Sequence, residues 1–112
     1  MPKDPFCPTL SEDAIQLIAA WFRVLGEANR LKLIVALETG EKNVSQLMKA
    51  TSLNQPNTSR HLRTLTDAGV LFRRREKTEV YYALAVPGIY EFLLKASHDL
   101  EQHAKVKTRQ SR

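Results

Sequence analysis

The spacing of apolar residues divides this chain into helices and one short region of strand. Leu17, Trp21 and Val24, together with Ala14, form one helical stripe. Ile15, Ile18, Phe22 and Leu25 form the stripe beside it, so the first helix is apolar over a wider arc than the roughly 100° that a surface helix needs. That width fits either a central core helix or one that also buries a face against a second copy. Thr9, with Glu12 three residues on, reads as the N-terminal capping box, and Gly26 as the stop. A second helix is predicted from about Asn29 to Glu38, with Leu31, Ile34, Val35 and Leu37 inward and Gly40 closing it. Asn43 and Gln46 open a third, "VSQLMKAT", with Val44, Leu47 and Met48 as its apolar side.

The fourth helix, about residues 54–68, is unusual in content. Leu62, Leu65 and Ala68 give it an inward edge, but the rest of "LNQPNTSRHLRTL" is Asn, Gln, Ser, Thr, Arg and His. These are mostly weak helix formers and good hydrogen-bonders. Asn54 is the expected N-cap, which puts Pro56 in the first turn, where its missing N–H costs little. After Gly69 the period changes to two. "VLFRRR" and "EVYYAL" are strand-like, and "REKT" between them makes a charged turn, so a hairpin is expected over about 70–84. Pro87 and Gly88 break the chain. A last helix, about Ile89–His103, carries Ile89, Phe92, Leu93, Ala96 and Leu100 at helical spacing. Residues 1–8, with three prolines, read as a flexible arm, residues 9–103 as one folded domain, and 104–112 as a basic disordered tail. The fold class expected is mainly α with a β-hairpin: a dimeric winged helix-turn-helix.

Charge sharpens this picture. The net charge is +5. Residues 1–50 hold six Lys/Arg and six Asp/Glu, whereas residues 51–112 hold eleven and six, so the excess lies in the second half. That points to an anionic partner, with a merely solvated basic surface as the bland alternative. The order short helix, turn, polar helix, basic hairpin is that of a recognition helix with a wing. Gln and Asn match adenine, Arg matches guanine, and Ser and Thr serve base or phosphate. The expected outward set is Gln55, Asn57, Ser59, Arg60, Arg63 and Thr64, with Thr58 and His61 on the flanks. Arg73, Arg74, Arg75 and Lys77 on the hairpin would meet phosphates or a minor groove. Duplex DNA is therefore the expected partner. A winged helix used as a protein-interaction module is the alternative, and it would want an apolar or acidic outward face on the fourth helix. No catalytic constellation or glycine-rich phosphate loop has supporting context, so neither an enzyme nor a cofactor is expected. The longest apolar runs are far short of a membrane span, and a lone cysteine, Cys7, suits a reducing compartment; a cytoplasmic protein is expected.

The segments "VLGEANRLKLIVAL", "NVSQLMKATSLNQPNTSRHLRTLTDAGVL" and "RRREKTEVYYAL" resemble the ArsR/SmtB family of bacterial winged-helix repressors over about Phe22 to Leu84. The resemblance implies a homodimer built from the first and last helices, with Leu17, Trp21, Phe92 and Ala96 in the interface. It also implies binding to short inverted repeats in promoters and release by an effector. Gln55, Ser59 and His61 match the family's polar recognition-helix positions. The chain departs from the metal-sensing members: Asn43, Val44 and Ser45 stand where those carry Cys-Val-Cys, and Val86, Pro87 and Gly88 offer no ligand at the start of the last helix. His98, Asp99 and His103 are weak metal candidates, because two ligands on one face do not close a tetrahedral site. Cys7 is alone where redox-sensing members use a pair, which leaves it a possible redox site or a thiol without a role. The wing turn also lacks the glycine common in the family.

Overall fold

The structure, a computed structural model, describes residues 9–110, with side chains as far as Lys107. The expected arm at 1–8, with Cys7, lies outside the described residues. In chain order the elements are α1 (Glu12–Leu25), α2 (Ala28–Ala36), β1 (Lys42–Asn43), α3 (Val44–Thr51), α4 (Gln55–Asp67), β2 (Leu71–Glu76), β3 (Glu79–Leu84) and α5 (Ile89–Gln110). They form a helical domain with a three-stranded antiparallel sheet in the order β1-β3-β2. The two-residue strand β1 has no apolar alternation to announce it. It exists because Lys42 and Asn43 lie along β3, opposite Tyr82 and Tyr81.

The core is made by Leu25 of α1, Leu33, Ile34 and Leu37 of α2 and its end, Leu47 of α3, Leu62 and Leu65 of α4, Val70 and Leu71 entering β2, and Ile89 of α5. Two inward assignments from the periodicity need correction. Leu33 is fully buried whereas Val35 is 48% exposed, and Ala68 at the end of α4 is exposed. The α2 helix thus turns a different edge to the core, with Leu33 and Leu37 a helical turn apart.

Helix ends are set by local chemistry. Ser11, not Thr9, caps α1; its hydroxyl accepts from the Ala14 amide at 3.1 Å. The Asn43–Gln46 capping box on α3 forms in both directions, each bond 2.9 Å. Asn54 caps α4, accepting from the Asn57 amide at 2.9 Å, with Pro56 in the first turn. The end of α4 is a Schellman motif. The Gly69 amide donates to the Thr66 carbonyl and the Val70 amide reaches back to the Leu65 carbonyl, while Leu65 and Val70 are both fully buried. Gly69 sits at φ +77°, and a Cβ there would meet no atom within 4 Å, so the cost of a side chain is one of backbone conformation alone. Gly69→Ala should therefore destabilise the domain by about 1–2 kcal/mol, read as a lower urea midpoint at unchanged slope; an unchanged midpoint would show that the motif does not require the left-handed residue.

The hairpin is tighter than "REKT" suggested. Glu76 pairs with Glu79, leaving only Lys77 and Thr78 as the turn, and Lys77 takes φ +57°, where glycine would be unstrained. At the other end, α5 runs to Gln110, so residues 104–110 continue the helix and are not the disordered tail expected. At about 33 Å long, α5 helps to give the molecule its flat outline, 54 × 44 × 21 Å. The radius of gyration is 17.5 Å, against about 13 Å for a compact domain of this length. The terminal helices extend beyond the core they help to close.

Candidate nucleic-acid interface

The turn between α3 and α4 is three residues, and Ser52 takes φ 62° to make it. It presents α4 with Leu62 and Leu65 inward and Gln55, Ser59, Arg60 and Arg63 exposed; Asn57 and Thr64 are half-buried. The helix tolerates its threonines because their hydroxyls are satisfied within it. Thr58, Thr64 and Thr66 each donate to the carbonyl four residues back, at 2.8, 3.2 and 2.7 Å. Arg60 Nη2 donates to Asn57 Oδ1 at 2.9 Å, which orders two members of the outward set. The exposed Arg63–Asp67 pair, at 3.8 Å, contributes little.

Two expected site residues point the other way. Thr58 is 0% exposed and His61 2% exposed. Neither can reach a base edge from there. At helical spacing both fall on the Leu62–Leu65 side, an assignment the sequence left on the flanks. His61 Nδ1 accepts a hydrogen bond from Arg30 Nε at 3.2 Å. Burial, and then the positive charges of Arg60 and Arg30, hold the imidazole below its ordinary pKa, with Glu27 opposing. His61 is therefore neutral at neutral pH, with its proton on Nε2.

The wing divides its arginines by strand alternation. Leu71 is buried, and Arg73 and Arg75 follow it on the same face of β2, opposite Tyr82 and Val80 of β3. Arg73 and Tyr82 border a small cleft with Arg63, Thr66 and Asp67 of α4, so this is the recognition-helix side of the sheet. Arg74 lies on the opposite face and is committed there. Its guanidinium makes a forked bond to Glu41, at 2.6 and 3.1 Å, a further bond to Glu76 at 3.0 Å, and stacks 4.8 Å over the Tyr81 ring. The Arg74 bond holds the Glu41 carboxyl below its usual pKa, and the two carboxylates raise that of Arg74. Arg74, expected from the sequence to meet phosphate, here ties β2 to the residue preceding β1. Arg73, Arg75 and Lys77 are exposed and make no ion pair among the described residues.

Away from this face, α1 and α5 carry apolar surface. Leu17 is 73% exposed, and Phe22 and Phe92 about half, while Trp21 and Ala96 are half-buried. Trp21, Phe22 and Phe92 form one cluster with ring centroids 6.0–6.2 Å apart. The weak metal candidates do not converge. Asp99 accepts from Lys95 Nζ at 2.9 Å, and no three His, Cys, Asp or Glu side chains come together among the described residues. No described helix is long and apolar enough to cross a membrane.

A short helix, a three-residue turn, a polar-faced second helix and a basic β-hairpin define a winged helix-turn-helix. The chain belongs to the ArsR family of bacterial regulatory proteins, whose family description matches residues 27–71. It is similar to the HTH-type transcriptional regulator Rv0081 of Mycobacterium tuberculosis, at 31% identity over 84 residues, 74% of each chain. The crystal structure of Rv0081 superposes with a TM-score of 0.75, covering 88% of this chain and 99% of that one at 28% identity. It is also similar to the arsenic resistance transcriptional regulator ArsR1 of Pseudomonas putida, at 43% identity over 75 residues. That match covers 65% of this chain and 58% of ArsR1, so the chain spans less than two thirds of this relative's length. The solution structure of the homodimeric winged helix-turn-helix domain of Mb0332 from Mycobacterium bovis has a TM-score of 0.71 and 25% identity, covering 83% of this chain and 86% of that one. The family is one of regulators and not of enzymes.

Proposed function

We propose that this chain acts in the cytoplasm as a homodimeric, sequence-specific DNA-binding repressor whose operator is an inverted repeat. The observation that carries the reading is the shared direction of α4 and the wing. Arg63 of α4 and Arg73 of the wing border one cleft, exposed Gln55 and Ser59 precede Arg63 at four-residue spacing along the same helix edge, and Arg73 and Arg75 share a strand face and make no ion pair among the described residues. Gln55, Asn57, Ser59, Arg60 and Arg63 are assigned to the major groove, and Arg73, Arg75 and Lys77 to backbone or minor groove. Membership of the regulator family and the homodimeric Mb0332 domain support the same reading.

The test is selection of duplexes from random sequence, followed by substitution. Gln55→Ala and Arg60→Ala should each erode preference for the selected duplex by roughly 1–3 kcal/mol per lost base contact while binding to random duplex changes little. Equal losses on selected and random DNA would show that α4 does not read bases. Failure to select any duplex would favour the protein-interaction reading.

A further inference from the structure

Arg30 stands on α2 but touches neither solvent-facing function of the molecule, the α4 surface or the outer faces of α1 and α5. Its guanidinium instead spans three helices. Nη1 donates to the Val24 carbonyl at 2.9 Å, in the last turn of α1, and Nε donates to Nδ1 of buried His61, in the middle of α4. Two of its donors are thus fixed at a helix terminus and at an imidazole acceptor. A planar guanidinium holds such a pair of directions rigidly, where a lysine ammonium would hold one acceptor at a time. The Val24 carbonyl is among those that α1 cannot satisfy internally, and it lies at the negative end of that helix.

Building on the DNA-binding reading, we propose that Arg30, acting through His61, is the positioning residue that fixes the angle between α1 and the recognition helix, and so the spacing and aim of α4 in the dimer. The residue makes no contact with DNA. It sets where Gln55, Ser59 and Arg60 point, because the inner edge of α4 rests on Leu62 and Leu65 through non-directional contacts that leave freedom of rotation about the helix axis, and its other side-chain hydrogen bonds among the described residues stay within α4 and its cap. A hydrogen bond from a residue anchored on α1 removes that freedom.

The arrangement requires a neutral imidazole. Protonation would place an N–H on Nδ1 facing the Arg30 Nε–H, donor against donor, with Arg60 adding a third positive charge on α4 and only Glu27, at the start of α2, opposing. Arg30 comes from α2, Arg60 from the helix of His61 itself, and the Val24 carbonyl from α1. Folding favours the deprotonated ring, so the positioned state is complete above the unfolded-state pKa of about 6.5 and is lost only as pH falls through the lower pKa of the folded protein. The direction is diagnostic. Acid adds positive charge to the protein and so strengthens attraction to phosphate generally, whereas loss of this clamp weakens selective binding.

The experiment measures affinity of the full chain for a selected duplex and a random duplex, for wild type and the variants Arg30→Leu, Arg30→Lys, His61→Leu, His61→Asn and the double leucine variant. Asparagine places Oδ1 where Nδ1 stands and does not titrate. His61→Asn should keep discrimination within about threefold of wild type. Arg30→Leu and His61→Leu should each lose about tenfold or more of it, and the double variant no more than either alone. Arg30→Lys should fall between. Lowering the pH from about 7.5 through the folded-state pKa of His61, located by NMR titration of its ring in the folded chain, should reduce the discrimination of wild type and leave that of His61→Asn unchanged. Wild-type discrimination for both leucine variants, additive losses in the double variant, or the same acid response in wild type and His61→Asn would each overturn the proposal. Should the leucine variants fail to fold, the pH comparison of wild type with His61→Asn still decides. Failure of wild type to prefer any duplex would instead bring down the DNA-binding reading on which the proposal rests.

Discussion

Affinity for duplex DNA is expected to fall by about 10³–10⁵-fold between 50 and 200 mM salt if the dimer makes about 6–10 phosphate contacts. The net charge of +5 is not spread evenly, and the wing shows which cations are available. Arg73 and Arg75 share the face of β2 that looks toward α4, and Lys77 stands at the tip, all without acidic partners among the described residues. Arg74 already has its counter-ions, Glu41 and Glu76, on the other face of β2. Alanine at both Arg73 and Arg75 should reduce the salt slope by about one unit for each contact in each protomer that is lost, equally on selected and random sequences. Arg74→Ala should leave the slope close to that of wild type and instead loosen the link between β2 and the start of β1. The measurement is a titration of both duplexes at four or more salt concentrations. A slope that flattens more for Arg74→Ala than for the Arg73/Arg75 pair would reverse the assignment of the two faces of the wing.

That contrast between neighbouring arginines marks where the sequence stops being informative. The periodic elements are legible, because helix and strand periods depend on each residue's near neighbours: the Asn43–Gln46 box, the Asn54 cap with Pro56, and the change of period after Gly69 all appear where the residues indicate. So does the outward direction of Gln55, Ser59, Arg60 and Arg63. What is not legible depends on partners far away in the chain. Arg74 meets Glu41 across 33 residues and Arg30 meets His61 across 31, and no local pattern singles out either pair. β1 has the same character, being a strand only by virtue of β3. The misplacement of Thr58 and His61 has a simpler cause. Polar residues on a polar helix look alike in sequence, and only a count of helical turns from Leu62 and Leu65 would have placed these two inside. The continuation of α5 past His103 illustrates the remaining limit: a basic run reads equally as a tail or as the exposed end of a helix.

The largest expected effect of a single substitution falls on α1. A patch built from Leu17, Phe22 and Phe92, joined by the half-buried ring of Trp21, lies open on a chain whose terminal helices already extend beyond its core. Apolar patches of this kind mark an interaction surface, and in the proposed dimer the second copy covers this one. Burying one leucine is worth about 1.5–3 kcal/mol, and each residue of a two-fold interface counts twice. Trp21 was expected in the same interface, but it also packs against the chain's own core, so a charge there would confuse loss of dimer with loss of fold. Leu17 avoids this, being 73% exposed in the single chain. Leu17→Glu should leave the far-ultraviolet spectrum of the folded domain intact and convert the dimer to monomer by sedimentation velocity. Each monomer then meets one half-site, and without the effective concentration supplied by its partner the affinity for the full inverted repeat should fall by about 10²–10⁴-fold. Binding to an isolated half-site should change far less, since α4 and the wing are untouched. A sedimentation coefficient and operator affinity both unmoved by Leu17→Glu combined with Phe92→Glu would remove this surface from the interface and leave the two-fold arrangement without its proposed seat.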